Sequence, residues 1–218
     1  MERFGFVGLP NAGKSSLYNA LAGGGALAAP YAFATTDPNI GVANVPDKRL
    51  FLLGDMSDSK KIVPTTIQFT DIGGLVEGAA KGEGLGNRFL AGIREVDAIV
   101  FVLRAFPDPD VPGPVDPVEH LKVVEIELAL ADLETIQKQL VKIEKAAKAD
   151  KSANQILEVS KHAIKQLDQG VPIYKSDLTN EEREVLAEFF LLTDKPVLAV
   201  VNMGEEQIEN VNHHLEPV

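Results

Sequence analysis

The segment Gly8-Leu-Pro-Asn-Ala-Gly13-Lys14-Ser15 constrains this chain more than any other stretch of its 218 residues. It reads G-x-x-x-x-G-K-S, directly follows the apolar run Arg3 to Val7, and opens into the helical run Ser16 to Ala22. Glycines at both ends let the loop bend until successive backbone N–H groups face phosphate oxygens, and the helix N-terminus adds partial positive charge. Lys14 is expected to reach the β- and γ-phosphates, and Ser15 to place a hydroxyl on Mg²⁺, a hard ion that takes oxygen ligands. Asn11, Ala12, Gly13, Lys14, Ser15 and Ser16 are therefore candidate nucleotide-binding residues.

A strand, a phosphate loop and a helix in that order belong to a layered α/β sheet. Further strand-like runs fit it at Ile40 to Val45, Ile67 to Asp71, Asp97 to Leu103 and Pro196 to Val201. The rhythm breaks over 118–191, which carries three helical patterns and reads as an insertion between 1–117 and 192–218. Leu133, Ile136, Leu140 and Ile143 form one apolar stripe there, Ile156, Val159, Ala163 and Leu167 another, with the polar turn Lys148 to Ser152 between them. An antiparallel helical hairpin satisfies this spacing, and so do two surface helices packed on the sheet. A third helix is expected from the capping box Thr179-Asn-Glu-Glu182 to about Leu191.

At the end of the third strand stands Asp71-Ile-Gly-Gly74, whose carboxylate is placed to hold Mg²⁺ through water. The Gly74 N–H is a candidate contact to the γ-phosphate. Between the two motifs lies the turn-rich Phe33 to Asn39, in which Thr35, with Thr36 as alternative, is the candidate for a further metal hydroxyl. Other chemistries are disfavoured. The chain has no cysteine for a disulfide, thiolate site or thiol nucleophile, and its four histidines lack metal-ligand spacing. A net charge of −11 opposes a generic or sequence-specific DNA binder. No apolar run approaches the 18 or so residues of a membrane span, and no secretory leader opens the chain, so a cytoplasmic location is expected.

Together these residues resemble the Obg-related GTPases and, within them, the YchF or Obg-like ATPase family. The resemblance rests on Asn11 in the loop, on Phe33 to Val42, on Asp71 to Asn87 with its Gly82-Glu-Gly-Leu-Gly-Asn87 block, and on Glu125 to Leu133. It implies a P-loop NTPase with a Ras-like G domain, a mostly parallel sheet and an inserted coiled-coil hairpin. It also implies a slow Mg²⁺-dependent hydrolase that works as a conformational switch on the ribosome. Lys14, Thr35 and Gly74 would carry catalysis, and Ser15, Thr35 and Asp71 the metal. Where many relatives keep a water-orienting Gln after Gly74, this chain has Leu75, so hydrolysis would need another group. Asn11, as a ligand for K⁺ near the phosphates, is one candidate. The histidine often found in the loop after the fourth strand is absent from Ala105 to Pro117.

The last strand ends in Asn202-Met203-Gly204-Glu205 where GTPases carry Asn-Lys-x-Asp. The Asp carboxylate takes two N–H bonds from guanine, worth about 1–3 kcal/mol of discrimination. One added methylene displaces it by about 1.5 Å, which spoils that fork. Loss of guanine selection follows from chemistry; selection of ATP follows from the resemblance. Asn202, Met203 and Glu205 are thus the base-reading candidates, with ATP the expected ligand and GTP the alternative. A nucleotide-dependent interaction module with negligible hydrolysis is a third reading, which Leu75 favours. Only thirteen residues follow Glu205, so the end of the G domain and the C-terminal TGS domain of full-length relatives are expected to be missing.

Overall fold

A computed structural model describes residues 1–22, 39–72, 85–108, 115–148 and 150–210. Thr35, Thr36, Gly74 and Leu75, and with them most of both expected switch segments, lie outside the described residues.

Five strands, β1 (Arg3–Val7), β2 (Asn39–Asn44), β3 (Thr66–Asp71), β4 (Ala98–Arg104) and β5 (Val197–Asn202), form one sheet in the order β2-β3-β1-β4-β5. Only β2 runs antiparallel; β3, β1, β4 and β5 are parallel neighbours. The central strand β4 reads as an unbroken apolar run, Ala98 to Leu103, because both of its faces are covered, whereas the edge strand β5 leaves Val197 and Leu198 exposed. Val7, Ile99, Phe101 and Leu103 point into one core, while Phe6, Val100 and Val102 point into the other. The first core is closed by α3 (Leu85–Glu95) through Leu90 and Ile93, the second by α1 (Lys14–Ala22) through Tyr18. At the outer end of β1 and β4 the exposed Arg3 guanidinium meets Asp97 at 2.8 Å and holds that carboxyl down to about 2.

Helix α4 (Pro117–Ala147) starts on Asp116, whose carboxylate accepts the Val118 N–H at 2.8 Å, with Pro117 at the position where a missing N–H costs nothing. After a short turn α5 (Lys151–Asp168) starts on Asp150, which accepts from Ser152 at 2.9 Å, and the two helices pack as an antiparallel hairpin. Ile136, Val159, Ala163 and Leu167 from the two expected stripes are buried together. Along α4 the partner changes: Val124, Leu128 and Ala131 belong to the sheet core, while Ala129 and Ile136 pack on α5. The buried Asp132 stands at this changeover. Its carboxylate accepts the Leu192 N–H at 2.8 Å, the Thr193 N–H at 2.7 Å and the Thr193 hydroxyl at 2.7 Å, tying α4 to the segment that leads into β5.

Three elements differ from the sequence expectation. The third helix has its capping box, Thr179 with Glu182, but α6 covers only Asn180–Val185. A 3-10 turn follows at Ala187–Phe189, and Phe190 takes a left-handed φ of 51°. Leu186, Phe189, Leu191 and Leu192 are all buried, and one α-helical face cannot bury that spacing, so the chain leaves the helix to do it. Helix α3 starts at Leu85, in the last residues of the family-like block, and runs beyond it to Glu95. Helix α2 (Lys48–Met56), capped by Asp47, exposes the consecutive Phe51, Leu52 and Leu53, so no helical periodicity marks it.

Candidate functional site

The phosphate loop leaves the C-terminal end of β1, where the sheet order reverses between β3 and β4; open α/β sheets bind ligands at such a crevice. Its two glycines are required for different reasons. A Cβ on Gly8 would stand 2.4 Å from the Val102 carbonyl oxygen, so β4 and the loop approach more closely than any side chain permits. Gly13 has φ of 96°, and a Cβ there would also stand 2.2 Å from the Asn202 side-chain nitrogen. Asn11 takes a left-handed φ of 61°, which asparagine tolerates better than most residues. Ala12 is fully buried and donates its N–H to the Leu9 carbonyl at 3.3 Å, and α1 begins as Leu17 donates to Gly13 at 3.0 Å.

Lys14 is buried under this loop, and its Nζ donates to the carbonyls of Leu9 at 2.9 Å and Gly8 at 3.2 Å. Burial lowers its pKa to about 8 against the opposing pull of Asp71. The Ser15 hydroxyl donates to Asp71 Oδ2 at 2.6 Å, joining the two motifs. Asp71 is fully buried, and among the described residues its Oδ1 has no hydrogen-bond partner. Burial raises the Asp71 pKa, offset in part by Ser15 and Lys14. An unsatisfied carboxylate oxygen in such a place costs free energy, and a hard dication with its water shell would recover it. The donor set, one hydroxyl and one carboxylate beside a phosphate loop, fits Mg²⁺.

The end of β5 is drawn onto the loop. Asn202 Nδ2 donates to the Ala12 carbonyl at 3.0 Å, and the Asn202 carbonyl accepts the Ala105 N–H at 2.8 Å. The structure thus turns the Asn202 amide toward the phosphate loop. Met203 is half-buried beyond it, and Glu205 is exposed at the start of a 3-10 turn, Glu205–Asn210. Ser15 and Ser16 open α1, with Ser16 exposed. The site therefore unites Lys14, Ser15, Asp71 and Asn202. Arg104 and Gln207 went unremarked in the sequence. Arg104 is buried, donates to the carbonyls of Phe106 at 3.0 Å and Asp108 at 3.5 Å, and lies 4.8 Å from the centre of the Phe106 ring, anchoring the loop after β4. Its single signal was a charge ending an apolar strand. Gln207 gave none. Among the described residues no helix is long and apolar enough to cross a membrane.

Residues 3–129 match the family described as 50S ribosome-binding GTPase. The chain is 45% identical over 208 residues to the "Ribosome-binding ATPase YchF" of Bacillus subtilis, covering 94% of this chain and 57% of that protein. It is 44% identical over 218 residues to the protein of the same name from Haemophilus influenzae, covering 98% and 60%. A solved structure described as the Schizosaccharomyces pombe YchF GTPase superposes with a TM-score of 0.77 at 35% identity, covering 96% of this chain and 58% of that one. The chain thus spans somewhat under two thirds of the length of the relatives it matches. The phosphate loop on β1, the carboxylate ending β3, the sheet order and these matches agree: the chain belongs to the 50S ribosome-binding GTPase family, and within it to the YchF branch.

Proposed function

We propose that this chain is the nucleotide-binding part of a cytoplasmic, Mg²⁺-dependent ATPase that acts as a slow conformational switch on the ribosome. The observation that carries the reading is the Ser15–Asp71 pair beneath the phosphate loop, with Asp71 Oδ1 left over for a metal-bound water. Ser15 and Asp71, with Thr35, would hold the Mg²⁺, which neutralises charge on the phosphate oxygens when bound. Asn11 to Ser16 would cradle the phosphates, and Lys14, already desolvated, would trade two carbonyl bonds for the stronger attraction of phosphate oxygens. Gly74 would sense the γ-phosphate, and K⁺ near Asn11 would help compensate for Leu75. Residues 118–191 would act as the partner-facing inserted region between 1–117 and 192–218.

ATP is the favoured base because Glu205 replaces the shorter guanine-reading acid and the similar bacterial proteins are named ATPases. GTP is the second reading, favoured by the name of the fission yeast relative, a YchF GTPase. Competition decides between them. Unlabelled ATP should displace labelled ATP at far lower concentration than GTP does, and displacement by GTP at equal or lower concentration would overturn the ATP reading. Phosphate release in a single turnover, absent in Lys14→Ala, separates a hydrolase from a module that only binds. Sedimentation with ribosomes in the ATP- and ADP-bound states tests the partner.

A further inference from the structure

Four hydrogen bonds run in series from the phosphate loop to the base-reading turn. Asn202 Nδ2 donates to the Ala12 carbonyl at 3.0 Å, and the Ala105 N–H donates to the Asn202 carbonyl at 2.8 Å. Gln207 Nε2 donates to the Ala105 carbonyl at 2.8 Å, and Gln207 Oε1 accepts the Gly204 N–H at 2.8 Å. The Gln207 backbone N–H returns to the Gly204 carbonyl at 3.0 Å. One half-buried side chain thus spends both ends of its amide on two different loops, the turn after β5 and the start of the loop after β4. Gly204 borders this seam, its Cβ position in ordinary contact with Gln207 Oε1 at 3.6 Å and Phe106 Cβ at 3.7 Å.

We propose that Gln207 is the positioning residue of the base-reading turn: it fixes Met203, Gly204 and Glu205 at a set height above the phosphate loop, so that the nucleobase meets a preformed surface. This rests on the reading of Asn202 to Glu205 as facing the base. Preorganisation lowers the ordering cost of binding, so the gain falls on ligands that carry a base. Only an amide serves here. A carboxylate keeps the bond from Gly204 but sets an acceptor against the Ala105 carbonyl, and an apolar chain of equal length keeps neither.

The test compares Mg²⁺·ATP with Mg²⁺·tripolyphosphate, which has the phosphates without the base, on the 218-residue chain and on Gln207→Met and Gln207→Glu. Gln207→Met should weaken ATP binding by about 5- to 10-fold, the scale of one to two net hydrogen bonds, and leave tripolyphosphate within about twofold. KM for ATP should rise with kcat unchanged, and Gln207→Glu should fall between. Amide exchange at Gly204 in the ligand-free protein should accelerate in Gln207→Met. Equal losses for both ligands, or unaltered Gly204 exchange, would overturn the positioning role. Wild-type protein that binds ATP no more tightly than tripolyphosphate would instead overturn the base-facing reading and the specificity role with it.

Discussion

The Ser15 hydroxyl donates to Asp71 Oδ2 at 2.6 Å across 56 positions of sequence, and among the described residues the other Asp71 oxygen has no partner. One oxygen of this carboxylate is satisfied by the protein, and the metal reading assigns the other to a Mg²⁺-bound water. Asp71→Asn removes the charge but keeps the shape. Burial penalises the native carboxylate, so the ligand-free variant should melt at the same temperature as wild type or higher. The extra stabilisation that Mg²⁺ and nucleotide together give wild type should disappear. A variant still stabilised by Mg²⁺ to the wild-type extent would remove Asp71 from the metal shell.

The glycines should respond differently. In Gly13→Ala the new methyl meets both a left-handed φ, costing about 1–2 kcal/mol, and the Asn202 amide, whose bond to Ala12 it displaces. Asn202→Ala clears that space, so the double variant should be less destabilised than the sum of the singles in denaturant unfolding, a coupling of about 1 kcal/mol. Gly8→Ala meets the Val102 carbonyl, which no rotamer relieves, and Asn202→Ala should not soften it. Additivity at Gly13 would contradict the geometry of this seam.

Asp132 makes stability depend on pH. Burial raises its pKa to about 6 in spite of three donors, whereas an unfolded Asp titrates near 3.9. A raised native pKa favours folding below the unfolded value, and that contribution is lost as pH climbs to about 6. The unfolding free energy of wild type minus that of Asp132→Asn should therefore fall between pH 4 and 7 by on the order of 2 kcal/mol. A difference that is flat over this range would refute the assignment.

His162 links α5 to α6. Its Nδ1 lies 3.0 Å from Glu182 and its Nε2 2.9 Å from Asp177. The Glu182 hydrogen bond leads the causes that raise its pKa above 6.5, and Glu182 is lowered below 4.5, first by its bond from the Thr179 N–H. The link contributes most between about pH 4.5 and 6.5, weakening below as Glu182 protonates and above as His162 deprotonates. In NMR titrations the His162 midpoint should lie above 6.5 and fall in Glu182→Gln, which keeps the capping box but removes the charge. An unmoved midpoint would show that Glu182 does not hold the imidazolium.

What could be read from the sequence was local in the chain. Gly8 to Ser15 encodes its own bend, and the continuous apolar run of β4 is what a strand covered on both faces requires. The stripes Leu133 to Ile143 and Ile156 to Leu167 carry the helical period, but the choice between a hairpin and separate surface helices needed the packing of Ile136 on Val159 and Ala163. The rest depends on approach in space. That Gly8 faces the Val102 carbonyl, or that the Asn202 amide reaches back 190 positions to Ala12, has no signature in residue type. Phe51, Leu52 and Leu53 on α2 defeat periodicity because they are exposed, and Leu186, Phe189, Leu191 and Leu192 break their helix because they are buried.

Helix α4 is unbroken from Pro117 to Ala147, yet its first half is locked in the sheet core and its second half is clasped to α5. That makes it a lever arm with its fulcrum at Asp132. From there to Ala147 the helix runs about 22 Å, so a 5° tilt of the buried end would sweep the far end through about 2 Å. A small tilt at Asp132 would thus be magnified into a displacement of atomic size near Ala147.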